Sequence, residues 1–126
     1  GNRNFWRLFT DWFGNPAFVI KGAIGNLYTQ LGGAQGRLGG PLMSERCGLV
    51  RSGCYQNFEG GSIYWTKSTG AMPVWGGIRT EWRLNSSENG VLGYPVSAEQ
   101  SMAGGVFQNF ERGRIIWQTG TGASVI

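Results

Sequence analysis

Apolar residues recur along this chain in two rhythms. From Tyr55 to Trp65, YQNFEGGSIYW, aromatic and β-branched residues interspersed with polar ones lead into and out of a glycine pair, as in a half-buried hairpin. The pattern returns from Phe107 to Trp117 as FQNFERGRIIW, identical at seven of eleven positions. Each copy predicts a β-hairpin. Tyr55 and Phe58 lead in, Ile63, Tyr64 and Trp65 lead out, and the turn is expected at Gly60-Gly61, or Arg112-Gly113 in the second copy. The shared glycine, Gly61 or Gly113, is expected to take positive φ there. The alternation assigns Phe58, Phe110, Trp65 and Trp117 to the core.

The second rhythm is helical. Ile24, Leu27, Tyr28 and Leu31 predict a short amphipathic helix closed by Gly32-Gly33. A weaker version keeps Ile78 and Trp82 but carries Glu81 and Asn85 at the other positions. At the N-terminus, NFWRLFTDWF places Phe5, Leu8, Phe9, Trp12 and Phe13 at steps of three and four, so a helix is predicted there, stopped by Gly14-Asn15-Pro16. Such a helix would cover the exposed end of the first repeat; a membrane-surface or partner-docking helix is the alternative.

These elements recur in order. Gly22, Ile24, Tyr28, Gly36, Leu38-Gly39-Gly40-Pro41 and Glu45 align with Gly76, Ile78, Trp82, Gly90, Leu92-Gly93-Tyr94-Pro95 and Glu99 at a constant shift of 54 residues. At the hairpin the shift falls to 52, so the first copy holds two extra residues between Arg46 and Tyr55. Ala17–Ile20, Met72-Pro73-Val74 and Ser124-Val125-Ile126 share one register, and a further unit would begin where the chain ends. The expected organisation is an N-terminal helical segment (1–17) and two repeats (18–74 and 75–126). The fold class is β-rich with short helices, each repeat comprising a helix, a Leu-Gly-x-Pro turn and a hairpin.

Composition narrows the function. With 40% apolar residues among 126, the chain can bury a core, and 23 glycines with six tryptophans suit short strands and tight turns. A net charge of +4 favours anionic partners, but no basic run exists, so nucleic acid is not an expected partner. No apolar run approaches a transmembrane span and no signal peptide is visible. Cys47 aligns with Ser101, Cys54 falls in the longer linker that the second unit lacks, and six residues lie between them. A disulfide is expected, worth about 2–3 kcal/mol by loop entropy and implying an oxidising compartment; a metal or redox pair is the rival.

The unit G-x-I-x3-[YW] … G-x-L-G-x-P … [FY]-x-x-F-x-x-G-x-I-x-W … G-A resembles the LGFP repeat. Gly22, Ile24, Tyr28, Gly36, Leu38, Gly39, Pro41, Phe58, Gly61, Ile63, Trp65, Gly70 and Ala71 carry it in the first unit. Gly76, Ile78, Trp82, Gly90, Leu92, Gly93, Pro95, Phe110, Gly113, Ile115, Trp117, Gly122 and Ala123 carry it in the second. The Phe of the name is Gly40 in one and Tyr94 in the other. The resemblance implies a secreted, envelope-associated module of the kind found in tandem on actinobacterial mycoloyltransferases and cell-wall hydrolases. Its implied partner is the peptidoglycan–arabinogalactan wall, and a catalytic domain upstream in the parent protein is a further expected partner.

The residues themselves argue against catalysis. There is no histidine, so Ser/His and Cys/His chemistry is excluded, and no metal or cofactor is expected. A carboxylate-only glycan hydrolase is the less favoured reading, because Glu45/Glu99 and Glu59/Glu111 are repeat-equivalent and an active site is rarely written once per repeat. A binding site can be, since weak sites add. The candidate ligand-binding residues are Tyr55, Gln56, Asn57 and Glu59 in the first unit, and Gln108, Asn109 and Glu111 beside Phe107 in the second. Trp75 and Tyr94, which face Lys21 and Gly40 in the alignment, are candidate stacking residues, and Arg112 and Arg114 candidate anion contacts. The favoured function is a non-catalytic wall-binding tether, with a free-standing secreted lectin or effector as the alternative.

Overall fold

The computed structural model describes the backbone of residues 6–10 and 16–126 and the side chains from Phe18 onward. It is β-rich with short helices, as the patterning predicts; the described residues form two four-stranded sheets, where only hairpins were expected, a two-stranded sheet and two α-helices. The chain divides into two compact units, Gly1–Ala71 and Met72–Ile126.

In the first unit, β1 (Trp6–Thr10) pairs antiparallel with β2 (Pro16–Lys21), with Arg7 opposite Ile20 and Phe9 opposite Phe18. The helix predicted from Asn4 to Phe13 is therefore a strand over its central residues; the rest of that segment lies outside the described residues. The physical reason is competition. A lone helix of about ten residues is marginal, aromatic residues and threonine suit strands, and Ala17–Ile20 offers a β-branched partner within a few residues.

α1 (Gly22–Gln30) follows directly and buries Ile24 and Tyr28 of the predicted stripe, while Leu27 is half-buried and Leu31 is the C-cap just beyond the helix. Then β3 (Arg46–Leu49), β4 (Gly53–Phe58), β5 (Gly61–Thr66) and β6 (Gly70–Val74) form a sheet in chain order. Ile20, Ile24, Leu38, Phe58 and Ile63 make the core, and the Tyr28 ring stacks on Phe58 at 4.6 Å.

The second unit repeats the plan. α2 (Gly76–Leu84) forms despite its weaker pattern because Ile78 and Trp82 are both buried. β7 (Gln100–Met102), β8 (Gly105–Phe110), β9 (Gly113–Gln118) and β10 (Gly122–Val125) form the second sheet, again in chain order. Val74, Ile78, Leu92, Tyr94, Phe110 and Ile115 are buried with Trp82, whose ring meets Phe110 at 5.6 Å. Trp117, expected in the core, is 36% exposed. It lies over Gly77, where an added Cβ would sit 2.6 Å from the indole, and stays half in water.

Three local expectations are corrected. Phe58 pairs with Gly61, and Phe110 with Gly113, so the hairpin turns are Glu59-Gly60 and Glu111-Arg112, one residue earlier than predicted. Gly61 and Gly113 do not take positive φ; a Cβ at Gly113 would meet Leu92 Cδ2 at 2.6 Å, so the buried Leu92 side chain would have to shift. Cys54 does not belong to the inserted linker. It opens β4 and corresponds to Val106, as Cys47 corresponds to Ser101, so the extra residues sit at the β3–β4 tip. Cys47 and Cys54 are directly opposed across the strands and joined in a disulfide.

The Leu-Gly-x-Pro turn is clamped in both units. Its backbone zips onto the hairpin end: Gly60 N–H donates to Leu38 O at 2.8 Å and Glu59 N–H to Gly40 O at 2.9 Å. The same bonds join Arg112 to Leu92 and Glu111 to Tyr94. The helix adds a second hold, Tyr28 Oη donating to Gly39 O at 2.6 Å and Trp82 Nε1 to Gly93 O at 2.9 Å. The hairpin carboxylate adds a third. Glu59 Oε1 accepts from Gly40 N–H, and Glu111 Oε1 from Tyr94 N–H, each at 2.9 Å. Glycine is required beside these carboxylates for two reasons: φ is +69° at Gly39 and +75° at Gly93, and a Cβ would fall 2.6 or 2.5 Å from the glutamate oxygen.

Candidate ligand-binding faces

Strand alternation divides each hairpin into an inner and an outer face. On the inner face of the first sheet lies Gln56, fully buried, whose Nε2 donates to Val19 O at 3.1 Å and Met43 O at 2.7 Å. Gln108 does the same in the second unit, donating to Pro73 O and Ser97 O at 2.8 Å each. Both were candidate ligand contacts. They are internal braces, tying the strand before each helix to the segment after the Leu-Gly-x-Pro turn, and burial removes them from any surface ligand.

Tyr94 is likewise corrected: it is 0% exposed, so its ring cannot stack on a ligand. Trp75 is half-buried at the residue preceding α2, away from the strands of its hairpin in sequence. Glu59 and Glu111 hold the turn amides described above. Arg112 donates through Nε to Val91 O at 2.9 Å and through Nη2 to Gly90 O at 3.1 Å, so its fork is occupied by backbone. In the first unit that place is taken by Gly60, where a Cβ would strike the Arg37 carbonyl at 2.2 Å.

The outer faces keep the remaining candidates together. In the first unit Tyr55 lies opposite Tyr64 across β4 and β5, their rings stacked at 5.3 Å and 18°. Arg46 is opposite Tyr55 on β3 and exposed. Asn57, two residues along the same face, accepts from Ser62 Oγ at 2.6 Å. In the second unit Asn109 Oδ1 accepts from Arg114 Nε at 2.7 Å, and the Arg114 guanidinium lies 4.4 Å above the Phe107 ring. Tyr64 escaped the sequence reading. A turn at Gly60-Gly61 would set Tyr55 against Thr66; moving the turn back by one residue sets it against Tyr64.

The electrostatics of the strand ends single out Glu45. Burial raises its pKa, and the nearby Lys21 charge lowers it in part. Its carboxylate lies 3.5 Å from Cys47 Sγ. Glu45, Cys47 and Cys54 form a carboxylate–sulfur cluster among the described residues, but the disulfide removes both thiolates that a metal would need.

These features define a β-rich module of two like units, each clamping a Leu-Gly-x-Pro turn against a hairpin. The sequence model described as LGFP repeat matches residues 38–90 and again 92–126, more than half of the chain, and the protein belongs to the LGFP repeat family. The matched segments begin at or next to the Leu-Gly pair, so the family repeat is phased differently from the compact units. No curated protein matches the chain. No helix among the described residues is long and apolar enough to cross a membrane.

Proposed function

We propose that this protein is a non-catalytic module that binds an envelope polysaccharide of the peptidoglycan–arabinogalactan type and tethers the secreted protein that carries it. The observation that carries this reading is the outward pair Tyr55–Tyr64. Two half-buried tyrosines stacked on a strand face, with Asn57 beside them, bring aromatic surface, hydroxyls and an amide together. That combination suits a sugar ring, which is apolar on its faces and polar at its rim. The second unit has Phe107 and Asn109 at the equivalent places, with Ile116 in place of Tyr64 and the Arg114 guanidinium over the Phe107 ring, so it offers a different contact on the same face, and two weak sites on one chain reinforce each other. The turn-bracing geometry of Glu59 and Glu111 supports a binding role over hydrolysis, because each places one carboxylate oxygen on a backbone amide.

Retention on insoluble actinobacterial cell wall, at low and high salt, tests the reading. The intact chain should be retained, and Tyr64→Ala should reduce retention while circular dichroism stays unchanged. A chain that passes through the wall at both salt concentrations defeats the tether reading. Binding to soluble glycans in that case would favour the lectin alternative.

A further inference from the structure

Arg114 stands apart from the other cations of the second unit. Its Nε donates to Asn109 Oδ1 at 2.7 Å, and one face of the guanidinium rests 4.4 Å from the Phe107 ring centroid. Asn109 is itself fixed: its N–H donates to Ser97 Oγ at 3.1 Å and its carbonyl accepts from Val96 N–H at 2.9 Å. Asn109 and Arg114 face each other directly across β8 and β9, with Phe107 on the same face. The guanidinium is thus held along one edge and on one face. The side chain is exposed, and among the described residues its two terminal nitrogens donate to no protein acceptor and pair with no carboxylate.

We propose that Arg114 is an oxyanion subsite, taking the paired oxygens of a carboxylate or phosphodiester on a polymer bound along the outer face of β8 and β9. A guanidinium offers two parallel N–H donors that match such an oxygen pair, and holding it in place beforehand lowers the ordering cost of binding. Arg112, the other candidate, is the poorer choice, because its Nε and Nη2 edge is turned onto the backbone at Val91 O and Gly90 O. The first unit has no arginine at this position: Ser62 stands there and gives its hydroxyl to Asn57, and the exposed Arg46 lies instead on β3, opposite Tyr55. The two units therefore differ in chemistry on the same face, an aromatic platform in one and an aromatic-backed cation in the other. The subsite rests on the envelope-binding reading only for the source of its ligand.

Titration of the intact chain with three soluble probes tests this: an oligogalacturonate for carboxylate, a glycerol-phosphate oligomer for phosphodiester, and a neutral galactan oligomer. The Nε–H resonance of Arg114 should shift and saturate with one or both anionic probes and stay still with the neutral one; which anion acts identifies the source. Arg114→Gln should weaken anionic binding by at least about tenfold. Arg114→Lys should weaken it too, since a point charge lacks the fork. Arg112→Gln, once shown to be folded, should bind as the parent does. Equal binding by Arg114→Gln, or no Nε–H shift with either anion, overturns the subsite. The wall-retention result is read separately: retained wall with no Nε–H shift defeats the subsite alone, and anion binding without wall retention defeats the tether alone.

Discussion

Gln108 reaches 35 residues back along the chain to donate to the carbonyl of Pro73 at 2.8 Å, from a side chain that is 1% exposed. The same amide nitrogen donates to Ser97 O at 2.8 Å, so one side chain closes the second unit at two places.

Removing that brace leaves two carbonyls without their donor. Gln108→Leu, which keeps the volume, is expected to cost about 2–4 kcal/mol, since orphaned buried acceptors lose their full hydrogen bond. Gln56→Leu should cost a similar amount in the first unit, where Val19 and Met43 lose theirs. Urea unfolding of each variant measures it, and a cost below about 1 kcal/mol would contradict the bracing role.

The carboxylate beside the Leu-Gly-x-Pro turn separates acceptor from charge. Glu111→Gln retains an oxygen for the Tyr94 amide and should cost less than about 1 kcal/mol, whereas Glu111→Ala should cost about 1–3 kcal/mol. Gly93→Ala should be worse than either, because it combines positive φ with a Cβ 2.5 Å from Glu111 Oε1. Thermal unfolding of the three variants gives the order, and a Glu111→Gln as damaged as Glu111→Ala would show that the charge matters more than the acceptor.

The disulfide invites a replacement taken from the protein itself. Cys47→Ser with Cys54→Val installs the residues that the second unit carries at Ser101 and Val106. Loss of the cross-link should cost about 2–3 kcal/mol, the entropy of an eight-residue loop. The loss should fall on the first unit, read by hydrogen exchange at β3 and β4, with β7 and β8 protected as before.

Glu45 sets a pH dependence. Burial raises its folded pKa, so the folded state binds its proton more tightly than the unfolded chain does. Its contribution is most favourable below the unfolded pKa and is lost as pH rises through the folded one. Glu45→Gln should accordingly raise Tm at pH 7, and the gain should shrink on acidification towards pH 4 as the parent carboxyl takes up its proton. A lower Tm for Glu45→Gln at neutral pH would mean that attraction to Lys21 outweighs desolvation.

Much of this architecture was legible because it is local and written twice. Ile24 and Tyr28 mark α1 by spacing alone, and the duplicated hairpin shows its strands and its inward Phe58 and Phe110. The candidate site was less legible. Gln56 and Asn57 are neighbours with similar chemistry, yet one braces the core and the other faces out, and the one-residue difference in turn position changed the partner of Tyr55.

The sequence by itself determined the repeat, because it is written twice, and the short helices and hairpins of the units, because those depend on local spacing; it favoured the Cys47–Cys54 disulfide that the structure contains. Tertiary structure alone decided the rest. Trp6–Thr10, from the stretch with a helical period, became β1 because β2 offered it backbone partners. Gln108 became a brace because Pro73 and Ser97 bring their carbonyls to it. Arg114 was set apart from Arg112 by which acceptors lay within reach of each. A polar side chain carries the same donors wherever it sits; its role is fixed by the groups that folding brings within about 3 Å of it.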